Sequence, residues 1–143
     1  MGRSIRGSNT EKNVALAFAN ESMTVNRYSI FSRQAFKEGL NQAGEVFAAV
    51  SEEEKKHAET LFGFFEGGMV ELNLKLPAVP AGPARDNINA SISVENAAWS
   101  LRYPEFAGVA RQEGFPAIAE AFESFARDEK AHEERFKTLL KSL

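Results

Sequence analysis

Residues 52–62 read EEEKKHAETLF. As a helix, this stretch sets Glu54 and His57 one turn apart and in line with Leu61 and Phe64, an apolar stripe that belongs in a core. Working outward, the spacing of four and three residues continues back through Val50, Phe47 and Ala43. It recurs in three other segments: Val14, Phe18, Glu21, Val25, Tyr28, Ser32, Ala35; Ile88, Ile92, Glu95, Trp99; and Ile118, Phe122, Phe125, Glu129, His132, Phe136, Leu139. This is the pattern of packed bundle helices. Each stripe is apolar except near its middle, where it carries a glutamate.

Four such stripes predict an all-α antiparallel four-helix bundle. Gly, Pro and loop signals bound the helices at about 10–38, 41–66, 86–113 and 116–142. The joins near Gly39 and Gly114 are short, so helices one and two, and three and four, pair as hairpins. Between the hairpins lies GGMVELNLKLPAVPAGPARDN, residues 67–87, with three of the five prolines. It predicts one long crossover that spans the bundle or exchanges hairpins between subunits of a homodimer.

The whole of residues 1–143 reads as one domain, long enough to bury a core without disulfides. The chain has no cysteine, which excludes disulfides, thiolate chemistry, iron-sulfur clusters and a rubredoxin-type iron site. Residues 1–13 lack the apolar run of a signal peptide, and no segment approaches the roughly 20 apolar residues of a membrane span. These features predict a soluble cytoplasmic protein with no membrane partner. A net charge of −3 and no basic cluster argue against nucleic acid.

The two halves match at an offset of 75: Tyr28 with Tyr103, Phe31 with Phe106, Ala35 with Ala110, Glu38-Gly39 with Glu113-Gly114, Phe47 with Phe122, and EKKH with EKAH. The chain reads as a duplicated hairpin. Glu21 and Glu95 are counterparts at 74, so one residue has been added between Glu95 and Tyr103. A helix absorbs such an insertion as a π-bulge, placed here near Ala98.

Glu54-x-x-His57 and Glu129-x-x-His132 each aim a carboxylate and an imidazole the same way, and Glu21 and Glu95 add one carboxylate from each remaining helix. Four glutamates and two histidines facing one another are the ligand set of a carboxylate-bridged dimetal centre in a four-helix bundle. Four carboxylates neutralise two divalent cations; without them the buried anions would repel and oppose folding. A lone E-x-x-H says little in a chain with 18 glutamates. Here the only two histidines both occupy it, at matching positions of a repeat. Glu52, Glu53, Glu59, Glu66, Glu133 and Glu134 lie mostly off the stripes and read as solvated charge. Tyr28 and Tyr103, about two turns from Glu21 and Glu95, read as core aromatics whose hydroxyls bond ligand carboxylates. Oxygen and nitrogen ligands suit iron, and manganese or zinc as substitutes.

The pieces NESMTVNRY (20–28), EKKHAETLF (54–62), RYPEFAGVARQEGF (102–115) and DEKAHEERF (128–136) resemble the ferritin-like di-iron domain of the rubrerythrin family, over nearly the whole chain from about residue 10. The resemblance implies a ferritin-like fold with two iron ions that reduces hydrogen peroxide to water. By the same resemblance, Glu54 and Glu129 bridge the irons, Glu21 is a terminal ligand of one and His132 of the other, and Glu95 binds near the second. His57 is the ligand that in this family trades places with a further glutamate. Two departures stand out. Rubrerythrins commonly carry a rubredoxin domain, and a chain without cysteine needs a separate electron donor such as rubredoxin. Ala98 stands where the family has its exchanging glutamate, so His57 is expected to stay on its iron. The reading is a di-iron peroxidase-type oxidoreductase whose protons come from water or from groups behind the ligands, with Tyr28 and Tyr103 as the candidates. Its rival is an iron-handling protein that uses the same site as a ferroxidase with dioxygen.

Overall fold

The computed structural model describes residues 2–143. Its helices are α1 (Asn9–Lys37), α2 (Asn41–Phe62), α3 (Ala84–Ala97), a π-helical turn (Ala98–Arg102), α4 (Tyr103–Gln112) and α5 (Pro116–Lys141). The π turn joins α3 and α4 into one rod, with the Tyr103 N–H donating to the Ala98 carbonyl five residues back. Four rods therefore form the expected ferritin-like bundle. α1 packs along α2, the α3–α4 rod packs along α5, and contacts of α2 with α5 and of α1 with α4 close it.

Local chemistry sets the ends. Ser8 caps α1 by accepting from the Glu11 N–H at 3.0 Å, while the Glu11 carboxylate accepts from the N–H of Gly7, just before the cap. Both hairpin turns place a glycine in the left-handed region, Gly39 at φ 76° and Gly114 at φ 87°. After each glycine the next N–H reaches back into the helix, Leu40 to Ala35 and Phe115 to Ala110, which satisfies a terminal carbonyl. The repeat extends to the turn glutamates. Glu38 accepts from the Ala84 N–H at the start of α3, and Glu113 accepts from the Thr10 N–H at the start of α1. Each hairpin turn thus places a carboxylate on the helix N-terminus of the other hairpin, where the helix dipole favours it.

Beyond single residues at helix ends, two helix boundaries and one stripe assignment differ from the sequence reading. α2 stops at Phe62 because Gly63 ends it, so Phe64 lies outside the helix, half-buried against the core. α3 starts at Ala84, where Pro83 sets the entry and Asn87 ties back to both backbone groups of Gly82. The crossover accordingly runs over residues 63–83. In the third stripe the inward residues are Ile88, Ser91, Glu95, Ala98, Tyr103, Ala107 and Ala110, with Ala98 rather than Trp99 facing the core. The five-residue step from Ala98 to Tyr103 is the π turn, which returns Tyr103 to the stripe. The insertion lies where the broken repeat predicts it.

The core has two apolar clusters. One contains Val14, Leu61, Ala98, Tyr103, Ile118, Phe122 and Phe125, sealed by Ile5. The other contains Tyr28, Phe31, Phe47, Val50, Ile88, Phe136 and Leu139. Between them all four rods present polar side chains. Among the described residues, no helix is long and apolar enough to cross a membrane.

Candidate metal centre

All six residues read as donors meet in that middle layer. Glu21, Glu54, His57, Glu95, Glu129 and His132 are each at most 5 % exposed. They fall into two groups of four, Glu21, Glu54, His57 and Glu129, and Glu54, Glu95, Glu129 and His132, each with donor atoms within 4.8 Å of one another. Glu54 and Glu129 belong to both. Their Oε1 atoms lie between the two rings, 3.5 and 3.4 Å from His57 Nδ1 and 3.1 and 3.3 Å from His132 Nδ1.

Those contacts are not hydrogen bonds. One atom from each of the six residues, Glu21 Oε2, Glu54 Oε1, His57 Nδ1, Glu95 Oε2, Glu129 Oε1 and His132 Nδ1, is buried without a hydrogen-bond partner. An unpartnered buried polar group costs about 1–3 kcal/mol. A cluster of six such atoms, all converging, could hold two metal ions.

The opposite side of each donor is engaged. Tyr28 Oη donates to Glu95 Oε1 at 2.6 Å, and Tyr103 Oη donates to Glu21 Oε1. Both bonds cross between hairpins. His57 Nε2 meets Asp128 Oδ2 at 2.8 Å, and His132 Nε2 meets Glu53 Oε1 at 3.3 Å. The Nδ1 atoms are thereby left to face the carboxylates. The tyrosines take the place that the sequence assigned them. Glu53 and Glu133 do not: Glu53 pairs with Arg135 and His132, and Glu133 is buried, accepting from Trp99 Nε1 at 3.3 Å and pairing with Lys137. Trp99, turned off the stripe, covers Glu133 and so removes it from solvent.

Crowding of like charge governs protonation. Burial, reinforced by the charges of Glu129, Glu21 and Glu95, holds the Glu54 carboxyl well above the usual carboxylate range. Burial and then Glu129 raise Glu95 in the same sense. Glu129 goes the other way: burial would lift it, but the Glu54 carboxyl and both imidazoles hold it well below. Burial disfavours charge on His57 and His132 as well, yet Glu129 and Glu21 push His57 up to about 11, and Glu129 and Glu95 push His132 up to about 10. Left to themselves, Glu54, Glu95, His57 and His132 retain protons in place of cations.

The rubrerythrin family model matches residues 12–140. The chain belongs to the rubrerythrin family. It is 44% identical over 140 residues to the rubrerythrin of Porphyromonas gingivalis, covering 98% of this chain and 70% of that one. To the rubrerythrin of Nitratidesulfovibrio vulgaris it is 42% identical, covering 94% and 70%. Among solved structures, symerythrin from Cyanophora paradoxa superimposes with a TM-score of 0.81 at 23% identity, over 99% of this chain and 89% of that one, a likeness of fold. A rubrerythrin-family bundle with this carboxylate and histidine cluster suits a di-iron site.

Proposed function

We propose that the chain is a rubrerythrin-type di-iron oxidoreductase that reduces hydrogen peroxide to water with electrons from a separate donor. The observation that carries this reading is the convergence of six buried, partnerless donor atoms from four helices. Glu21, His57 and Glu54 would hold one iron, Glu95, His132 and Glu129 the other, with Glu54 and Glu129 shared between the two. When bound, the pair would supply Lewis acidity toward both peroxide oxygens and the two electrons that the O–O bond takes up.

The reaction H2O2 + 2 H⁺ + 2 e⁻ → 2 H2O also needs two protons. Tyr28 and Tyr103 stand closest to that task. Burial, together with the charge of Glu95 for Tyr28 and of Glu21 for Tyr103, keeps both phenols protonated well above the ordinary tyrosine range. Each holds its proton at Oη against a carboxylate of the cluster. Phe125, whose ring centroid lies 4.4 Å from that of His57, and the two apolar clusters limit water in the layer. Electrons would come from outside residues 1–143, which contain no cysteine for an iron-thiolate relay.

Anaerobic loading with two ferrous ions per chain, followed by peroxide titration, tests the reading. One peroxide consumed per two irons, with sustained turnover when reduced rubredoxin is supplied, is the expected result. Oxidation of many irons per chain with mineral formation would instead establish iron handling, and no peroxide consumption by the loaded protein would refute the peroxidase assignment.

A further inference from the structure

In both E-x-x-H motifs, the residue just before the glutamate is acidic: Glu53 before Glu54, and Asp128 before Glu129. On a helix that residue sits about 100° round from its neighbour and points away from the layer that the glutamate enters. Neither turns to solvent alone. Asp128 on α5 reaches His57 on α2, and Glu53 on α2 reaches His132 on α5. The two contacts are crossed, each motif supplying the carboxylate that meets the histidine of the other.

We propose that Asp128 and Glu53 are positioning residues that fix the orientation and tautomer of the two histidines, Asp128 for His57 and Glu53 for His132. The inference rests on the dimetal reading above. A ring N–H that donates to a carboxylate leaves the other ring nitrogen bare and more basic, and so a better ligand. Here Nε2 meets the carboxylate, and Nδ1 is the nitrogen with no hydrogen-bond partner, facing Glu54 and Glu129. Nδ1 is therefore the ligating atom of both histidines.

The two pairs are unequal. Asp128 has a side chain 52% exposed and makes no other hydrogen bond or ion pair among the described residues, so its charge acts on His57 alone, at 2.8 Å. Glu53 divides its charge, with Oε2 held by Arg135 at 2.7 Å and Oε1 at 3.3 Å from His132. The stronger polarisation falls on His57. Removing Asp128 accordingly weakens its half-site more than removing Glu53 weakens the other.

Stepwise Co(II) binding by the whole chain, measured by visible absorption against a competing chelator, tests the proposal together with proton NMR of the exchangeable ring N–H signals. Wild type is expected to show two binding constants and two slowly exchanging Nε2–H signals, one from each ring. Asp128→Ala is expected to weaken one constant by about 10–100-fold and to lose the His57 signal, leaving the other constant within about threefold. Glu53→Ala is expected to weaken the other by about tenfold and to lose the His132 signal. Asp128→Asn, which keeps an acceptor without the charge, falls between wild type and Asp128→Ala. Asp128 is half-exposed, so its variants remain folded, and circular dichroism checks this. Retention of both constants and both signals in Asp128→Ala and Glu53→Ala would overturn the inference. If wild type binds no Co(II), the dimetal reading fails instead, and the ring signals of the metal-free variants still decide whether the crossed contacts exist.

Discussion

The two hairpins bring the same chemistry to the middle of the bundle on differently built helices. The first carries Glu21 and Tyr28, seven residues apart, on one uninterrupted α-helix of 29 residues. The second carries Glu95 and Tyr103, eight apart, on a rod interrupted by a π turn. Seven residues in an α-helix is close to two full turns, so Glu21 and Tyr28 share a face without adjustment. Eight would swing the tyrosine away by roughly a further 100°. The π turn absorbs the surplus and returns Tyr103 to the stripe, where it bonds Glu21 as Tyr28 bonds Glu95. Contacts across the bundle therefore set the geometry of the layer, and the local helix adapts to them.

The strongest way to sharpen this comparison is to remove donors hairpin by hairpin. Glu54 and Glu129 each serve both four-residue groups, whereas Glu21 and Glu95 serve one each. Glu54→Ala or Glu129→Ala is expected to abolish binding of both metal ions. Glu21→Ala and Glu95→Ala should each leave about one ion per chain. Metal analysis after reconstitution and desalting reads the difference, and one ion retained by Glu54→Ala would contradict a shared ligand.

A smaller effect lies in pH. Both imidazoles have folded values, about 11 for His57 and about 10 for His132, above the model-peptide value of about 6.5. Their stabilisation of metal-free protein is complete below about pH 6.5 and is lost as pH rises through about 10 and 11. Glu54 and Glu95, with carboxyls held above the usual range, act in the same direction at lower pH. The melting temperature of metal-free protein should fall from pH 6.5 to 10. Metal displaces these protons, so the gap between loaded and metal-free protein should widen over the same interval. A gap that narrows as pH rises would refute the displacement of protons by metal.

Next in size are the crossed tyrosines. Tyr28→Phe and Tyr103→Phe each strip a buried carboxylate oxygen of its donor, a loss of about 1–3 kcal/mol by denaturant unfolding of the metal-free protein. Equal losses would show that the π turn costs Tyr103 nothing in contact energy. A much smaller loss for one would break the symmetry between hairpins.

The smallest expected change comes from deleting Ser100, an exposed residue of the π turn. The deletion restores the seven-residue spacing of α1 and an unbroken α-helix. The melting temperature is expected to move by no more than about 4 °C, roughly 1 kcal/mol in a chain of this size, while the visible spectrum of bound Co(II) changes because Glu95 lies beside the rebuilt turn. Unfolding of the variant would show instead that the insertion is needed to seat the second hairpin.

Periodicity and repetition made most of the site legible. Glu21, Glu54, His57, Glu95, Glu129 and His132 fall on apolar stripes, and the slip from 75 to 74 located the π turn. What stayed hidden follows from the limits of the same signal. Glu53 and Asp128 sit one residue off their stripes, where helical spacing assigns them to water, and only the packing of α2 against α5 turns them toward the histidines. Ala98 and Trp99 exchanged roles because the stripe was followed in steps of four and three toward an insertion that permits a step of five. Glu133 was read as solvated because nothing in its own helix announces that Trp99, from another rod, will cover it. The contacts of Glu53, Asp128 and Glu133 are contacts between helices that no single helix encodes.

The polar layer between the two apolar clusters also decides how the molecule comes apart. An apolar core that runs unbroken through a bundle melts as one unit, whereas here Phe47, Phe136 and their neighbours lie on one side of the layer and Phe122, Phe125 and theirs on the other. With protons alone balancing its charge, the layer is expected to be a plane of weakness across all four rods, letting each end of the bundle loosen without the other. Metal ions ligated from both hairpins would turn that plane into a crosslink, so loading the site is expected to change the unit of cooperativity from half a bundle to the whole.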